Sequence, residues 1–330
     1  MNGGFNWKKV ILPCAVFILL IVVIFSGLHI LESTVFNNRF GDIEITQQPT
    51  KTIERDKTEY FPRQDITTLL VMGIDEDGPV VSSEERTNDG MADLIALVIF
   101  DEANREINII NINRDSMVNM PVLDEEGKRS GETFAQIGLS HGYGTGLEDS
   151  CENTVWTVSD LLYGVQIDYY LSINMGAVPI VNDAVGGVTV NIPEEFAAAY
   201  PKMPAGEYTL KGSEALTFVR ARREVGDSLN VSRMERQKMY MDAFIEAAMA
   251  KAEGDTSFAL ELFEKASAYI VTNCPAETLS EMLSSYESYE TGEIISPKGE
   301  NKLGEKYYEF YIDEDDLDDI IIKYLYAPKK

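Results

Sequence analysis

Histidine and cysteine are scarce in this chain, with two histidines and three cysteines in 330 residues. His29 and His141 leave little material for a histidine-based zinc site. Cys14 lies in an apolar N-terminal run, while Cys151 and Cys274 are far apart and match no metal-ligand spacing. Outside the cell those two could form one disulfide; two buried free thiols are the preferred reading. Positive charge is short as well: 28 Lys and Arg face 55 Asp and Glu, a formal charge of −27. Nucleic-acid binding rests on neutralising phosphates with Lys and Arg. The charge balance therefore argues against a DNA-binding regulator, and no helix-turn-helix signal or large basic patch offsets it. Repeats and low-complexity tracts are also missing. The apolar fraction is ordinary, and the length has room for one large domain or two modest ones.

One long apolar run stands apart. Residues 10–31 read VILPCAVFILLIVVIFSGLHIL, carry no charge and are long enough to cross a hydrocarbon core of ~30 Å. Lys8 and Lys9 precede the run and Glu32 follows it. Residues 1–9 are thus expected to be a cytoplasmic tail, 10–31 a transmembrane helix in the cell membrane, and the remainder extracellular. The run is too long for a typical signal-peptide core and shows no clear cleavage site, so an uncleaved anchor is favoured over a cleaved signal. Residues 32–66 are polar and weakly patterned, and read as a juxtamembrane spacer.

From residue 67 the pattern alternates between strand and helix. TTLLVMGI (67–74) is a buried-strand run. DLIALVIF (93–100) and EINIINI (106–112) are joined by the short turn DEANR and predict a hairpin. Helical spacing runs through 147–162 and stops before Gly164. DYYLSIN (168–174) and GVTVNI (187–192) predict strands with a helix at about 176–185 between them. Ser213 is a candidate N-cap for a short helix, and a long helix is expected over about 232–252. The fold class is α/β, a mixed central sheet flanked by helices. Residues 67–252 form the expected main domain. Residues 253–330 have too few large apolar residues for a core of their own and are expected to complete the same domain.

The scarce positive charge is concentrated. Five of the twelve arginines (Arg220, Arg222, Arg223, Arg233 and Arg236) fall in VRARREVGDSLNVSRMERQ, residues 219–237. Arginine suits forked contacts to phosphate oxygens. On a helix Arg233, Arg236 and Gln237 share one face, and Asp227 lies between the two arginine groups. A solvated basic turn and an anion site are both open on residue types alone. Acidic residues gather where strands end: Asp75 after the first, Asp93 at the start of the second, Arg114 and Asp115 after the third. If those strands are neighbours, the residues meet at one sheet edge, where α/β folds usually bind ligands. Loop carboxylates are usually only solvated, but two beside an anion suit magnesium.

In order, the segments GIDE, MADLIAL, NINRDSMV, QIGLSHGYG, VNDAVGGVTVNIP, LKGSEALTFVRARREVGD and SRMERQ resemble the LytR–CpsA–Psr (LCP) family of membrane-anchored cell-wall glycopolymer ligases. The likeness covers roughly residues 67–252. It implies transfer of a glycopolymer, such as teichoic acid or capsule, from a polyprenyl diphosphate carrier to a hydroxyl of peptidoglycan, forming a phosphodiester with magnesium assisting. It implies Asp75 and Asp93 as metal ligands and Arg114 and Asp115 as the family's Arg-Asp pair. Arg220, Arg222, Asp227, Arg233, Arg236 and Gln237 match the family's basic motif, with Asp115 or Asp227 the only type of base nearby. Two positions depart from the pattern. Met91 stands where an arginine precedes the loop aspartate, with Arg86 five residues earlier as a substitute contact, and Gln136 stands where a basic residue is common. A polyprenyl diphosphate pyrophosphatase and a non-catalytic polyprenyl-phosphate-binding module are the alternative readings.

Overall fold

The apolar, β-branched run ITTLLVMGI forms the nine-residue strand Ile66–Ile74, an inner strand of a six-stranded sheet in the computed structural model of the chain. The structure describes residues 51–329 except 83–89, 125–127, 222–229, 305–306 and scattered positions between 255 and 288. The expected transmembrane run 10–31 lies outside the described residues, and among these no helix is long and apolar enough to cross a membrane.

In chain order the strands are β1 (Ile53–Arg55), β2 (Thr58–Pro62), β3 (Ile66–Ile74), β4 (Ala92–Asp101), β5 (Glu106–Ile112), β6 (Met117–Leu123), β7 (Arg129–Gln136), β8 (Tyr169–Asn174), β9 (Val188–Ile192), β10 (Gly206–Leu210), β11 (Ile270–Thr272), β12 (Glu290–Ile295), β13 (Gly299–Leu303), β14 (Tyr308–Ile312) and β15 (Tyr326–Pro328). The helices used below are α1 (Glu148–Leu161), α2 (Ala177–Ala184), α3 (Glu194–Ala199), α4 (Ser213–Arg220), α5 (Asn230–Gly254) and α6 (Glu314–Tyr324). Two compact units result: residues 175–269, and the described residues on either side of them.

The larger unit holds the central sheet, in the order β11–β8–β3–β4–β5–β12. β4 runs antiparallel to β3 and β5, as the hairpin pattern predicts, whereas β3–β8 and β5–β12 are parallel. The sheet is therefore mixed. Successive residues Leu69, Leu70, Val71 and Met72 are all buried, so both faces of β3 are covered, which is why the run does not alternate with polar residues. Leu70, Met72 and Ile74 belong to one core cluster with Val155 and Val158 of α1 and Leu317, Ile320 and Ile321 of α6. Each such side chain contributes about 1.5–3 kcal/mol by leaving water. α1 ends as predicted: Tyr163 and Gly164 take positive φ, and Gly164 N–H donates to the Ser159 carbonyl at 2.7 Å. α6 starts at Asp313, whose carboxylate accepts the N–H groups of Asp315 and Asp316.

In this unit one expectation is refined and one, the preferred reading of the two cysteines, is met. Within the expected spacer 32–66, β1 and β2 form a three-stranded sheet with β15, so residues 53–62 pair with residues 326–328. Such long-range pairing has no local sequence signature. Cys151 and Cys274 are buried and free, the second of the two options the sequence left open.

The smaller unit pairs β9 with β10 in a separate two-stranded sheet and carries α2 to α5. Here Ser213 is not the cap. It is the first residue of α4, and Gly212 at φ 51° is the cap, with its N–H donating to Asp183 Oδ1 at 2.7 Å.

Candidate active site

A charged cluster forms at one end of three adjacent strands. Because β4 is antiparallel to β3 and β5, those two strands finish where β4 begins. Asp75 thus lies just past β3, Asp93 just inside β4, and Arg114–Asp115 just past β5. Gly73 pairs with Leu94 and Ile74 with Ala92, which leaves Asp93 as the extra residue of a β-bulge. A bulge re-aims its extra side chain out of the regular alternation. Beyond it, Asp75 N–H donates to the Met91 carbonyl at 2.9 Å and keeps the strand pair closed.

Arg114 is the centre of the cluster. Its Nη1 is ion-paired with Asp93, and its Nε lies 3.4 Å from Asp115 Oδ1. Side-chain exposure is 8% for Asp93 against 22% for Arg114 and 26% for Asp115, so Asp93 is covered while the other two reach solvent. The NRDS turn that carries them is tightly held. Asn113 Oδ1 accepts the Asp115 N–H at 3.0 Å, an Asx turn. Gly138 N–H donates to the Arg114 carbonyl at 2.9 Å and Phe310 N–H to the Asp115 carbonyl at 2.8 Å. A Cβ on Gly138 would stand 3.0 Å from the Ala92 carbonyl oxygen and 3.1 Å from that of Arg114, so a glycine fits this approach best.

Both departures noted in the sequence sit in this cluster. Met91 Sδ lies 4.0 Å from Arg114 Nη2. Gln136 Nε2 donates to Asp115 Oδ1 at 3.2 Å and to the Tyr308 carbonyl at 2.7 Å. A neutral side chain therefore stands in each place where a second cation was expected. The contact between Gln136 and the C-terminal hairpin was not legible beforehand, since no sequence signal joins residues 172 positions apart. Nearby, His141 is buried with Nδ1 3.0 Å from the Gly90 carbonyl. Burial pushes its pKa down to about 4, so at neutral pH it is uncharged and Nδ1–H donates to that carbonyl.

The basic motif belongs to the smaller unit. Arg220 is the last residue of α4 and is partly buried. Arg236, 2% exposed, turns back onto the end of α4: Nε donates to the Phe218 carbonyl at 3.0 Å and Nη2 to the Ala221 carbonyl. Gln237 Nε2 donates to the Val219 carbonyl at 3.1 Å. The Arg236 guanidinium also lies 5.2 Å from the centre of the Phe196 ring. These two side chains satisfy carbonyls that the end of a helix leaves open, and the positive charge complements the helix dipole. Arg233 is on α5; Arg86, Arg222, Arg223 and Asp227 lie outside the described residues.

Comparison with known proteins decides the family. The model of the LytR_cpsA_psr family matches residues 38–323. The chain belongs to the LytR–CpsA–Psr family. It is 28% identical over 240 residues to a Bacillus subtilis (strain 168) protein named polyisoprenyl-teichoic acid–peptidoglycan teichoic acid transferase TagU, covering 72% of this chain and 69% of that one. A Bacillus mycoides protein of the same name is 26% identical over 330 residues, 96% of this chain and 97% of its own. Among solved structures, TagT bound to LI-WTA aligns with a TM-score of 0.54 at 21% identity, covering 85% of this chain and 97% of that chain. B. subtilis TagV aligns with a TM-score of 0.54 at 24% identity, covering 79% and 96%. At these identities the two structures establish a shared LytR–CpsA–Psr fold.

Among the described residues no group of three or more His, Cys, Asp or Glu side chains gathers. Asp75 and Asp93 nonetheless bring two hard carboxylates to adjoining strand ends, each with a solvent-shielded Oδ1. That fits a magnesium ion whose other ligands are substrate phosphates and water, since Mg²⁺ is usually held by one or two carboxylates.

Proposed function

We propose that this LytR–CpsA–Psr protein joins a polyprenyl-diphosphate-linked glycopolymer to peptidoglycan by a phosphodiester bond. It would act at the outer face of the membrane, held there by residues 10–31. The observation that carries this reading is the Asp93–Arg114–Asp115 cluster, a guanidinium between a covered and a partly exposed carboxylate. Relatives named as teichoic acid transferases support it. Phosphoryl transfer asks a protein mainly for positioning and for stabilisation of charge on the phosphate oxygens.

In the proposed reaction the peptidoglycan hydroxyl oxygen attacks the phosphorus bonded to the glycopolymer. A P–O bond forms there, and the P–O bond to the lipid-side phosphate breaks. The hydroxyl proton passes to the Asp115 carboxylate, and polyprenyl monophosphate leaves. Arg114 stabilises the charge on the transferring phosphoryl oxygens, and its link to Asp115 Oδ1 keeps the base beside them. Magnesium, held by Asp75 and Asp93, would supply further positive charge at the diphosphate. The family resemblance further implies Arg86, Arg220, Arg222 and Arg233 as donor-binding residues.

A second reading has one observation in its favour. Met91 and Gln136 lie against Arg114 and Asp115 where cations were expected, which weakens a diphosphate site and suits a non-catalytic polyprenyl-phosphate binder. One experiment separates the readings. The full chain is incubated with a polyprenyl-diphosphate-linked sugar, magnesium and peptidoglycan fragments, beside Arg114→Ala and Asp93→Ala. Sugar-phosphate transfer that is lost in both variants supports the ligase. Release of lipid phosphate without transfer points to a pyrophosphatase, and lipid binding without turnover leaves the binding module.

A further inference from the structure

The NRDS turn is held from behind by β14 and by the last residue of β7. Phe310 N–H donates to the Asp115 carbonyl at 2.8 Å, and Ser116 forms a parallel bridge with Phe310. Gln136 reaches the same place from β7. Its backbone is fixed on both sides: it lies opposite Met117 in the β6–β7 ladder, and the following N–H, of Ile137, donates to the Ser116 carbonyl at 2.8 Å. Its side chain does not cap the 3₁₀ helix that follows, Ile137–Tyr143. It turns instead to two acceptors. Nε2 donates to the Tyr308 carbonyl at 2.7 Å and to Asp115 Oδ1 at 3.2 Å. A backbone carbonyl and a carboxylate accept and do not donate, so the amide nitrogen, not its oxygen, must face them. Both amide hydrogens are thereby committed, one to backbone and one to the carboxylate.

The side-chain donors around Asp115 converge on one of its oxygens. Gln136 Nε2 and Arg114 Nε both approach Oδ1, and among the described residues no hydrogen bond is made to Oδ2. A carboxylate held by one oxygen and open at the other is oriented to take a proton at the open one. From this arrangement we infer that Gln136 is a positioning residue for the transfer reaction: it ties Asp115 Oδ1 to β14 and so presents Oδ2 to the acceptor hydroxyl. The inference rests on the transferase reading and deepens it. Gln136 acts through Asp115 and needs no contact with either substrate. Its neutrality matters. A second cation at that spot would further favour the charged form of the carboxylate, which opposes proton uptake. The amide holds the same oxygen without a full charge. The Tyr308 carbonyl fixes the amide in turn, so the base is placed by a side chain that is itself anchored, as a precise reacting geometry requires.

The test is single-turnover transfer by the full chain in detergent, with a polyprenyl-diphosphate-linked sugar, magnesium and peptidoglycan fragments. Gln136→Met keeps the length and removes both donors; Gln136→Glu keeps the shape and, ionised, cannot donate. Each is expected to slow transfer about 10- to 100-fold, with affinity for the lipid-linked sugar unchanged. In an Asp115→Asn background the same substitutions should slow it no further, because the carboxylate they misplace is gone. A purely structural defect would persist in that background, and thermal melting of each variant checks the fold separately. An unchanged rate in both variants overturns the positioning role, and so does a further loss on top of Asp115→Asn. Weaker binding of the lipid-linked sugar would make Gln136 a donor contact and overturn it as well. A wild type that transfers nothing removes the transferase reading and this role together, whereas failure of the role alone leaves that reading standing.

Discussion

Asp93 and Asp115 flank one guanidinium, and burial separates what they can do. Asp93, nearly covered and paired with Arg114, is suited to fixing charge; Asp115 reaches solvent and can meet an incoming hydroxyl. Asp115→Asn keeps the size and can still meet Gln136, but removes the basic oxygen. Transfer is expected to fall about 10²- to 10⁴-fold in single-turnover assays, with donor binding retained; a loss of donor binding instead would make Asp115 a substrate contact. His141 supplies a second expectation at this scale. Its pKa is lowered by burial from the ordinary 6.5 to about 4, so the unfolded chain takes up a proton that the folded chain refuses. Its contribution is complete above pH 6.5 and is lost as the pH falls toward 4, a loss of about 3 kcal/mol. Melting temperature against pH should show this decline, and His141→Gln should flatten it over that window even if it lowers stability overall. An identical slope in the variant would assign the decline to carboxylates.

At the scale of elements, the join between α4 and α5 depends on one arginine. Arg236 reads in the sequence as part of an anion-binding motif; in the fold its Nε and Nη2 are spent on the Phe218 and Ala221 carbonyls. Arg236→Met would leave both carbonyls without that donor and is expected to cost about 2–4 kcal/mol by chemical denaturation. Arg220→Met, at the partly exposed end of α4, should cost far less. Equal costs would mean that the cap contributes little. The comparison also shows what kind of information a motif holds. The spacing of Arg233, Arg236 and Gln237 places them near one face of a helix, and that much is local. Which of them meets backbone and which meets a ligand depends on where α4 ends relative to α5. The strand elements behaved similarly. The β4–β5 hairpin was legible because its partners adjoin in sequence, while the Asp93 bulge depends on how β3 and β4 settle their register.

For the whole molecule, charge is the dominant property. A net charge of −27 places like charges close together on folding, and exposed ion pairs such as Lys329–Glu59 recover little of that cost. Raising monovalent salt from about 10 to about 150 mM shortens the screening length from about 30 to about 8 Å. The melting temperature should therefore rise. A fall would mean that attractive pairs, not net repulsion, set the electrostatic balance. The bidentate Arg63–Asp101 pair, with side chains only 10% and 5% exposed, is too buried to be screened strongly, and should persist across that range.

By itself the sequence determined the α/β class, the hairpin, the extent of α1 and the resemblance to the family, because each is written in local periodicity or in short motifs. It also placed Asp75, Asp93, Arg114 and Asp115 at strand ends. Only the tertiary structure decided that those ends adjoin and that Asp93 sits on a bulge beside Arg114. The same holds for Met91 and Gln136 filling the cluster, and for residues 53–62 pairing with residues 326–328. These are pairings between distant segments, and they follow from how buried surfaces fit together, which no stretch of sequence encodes alone.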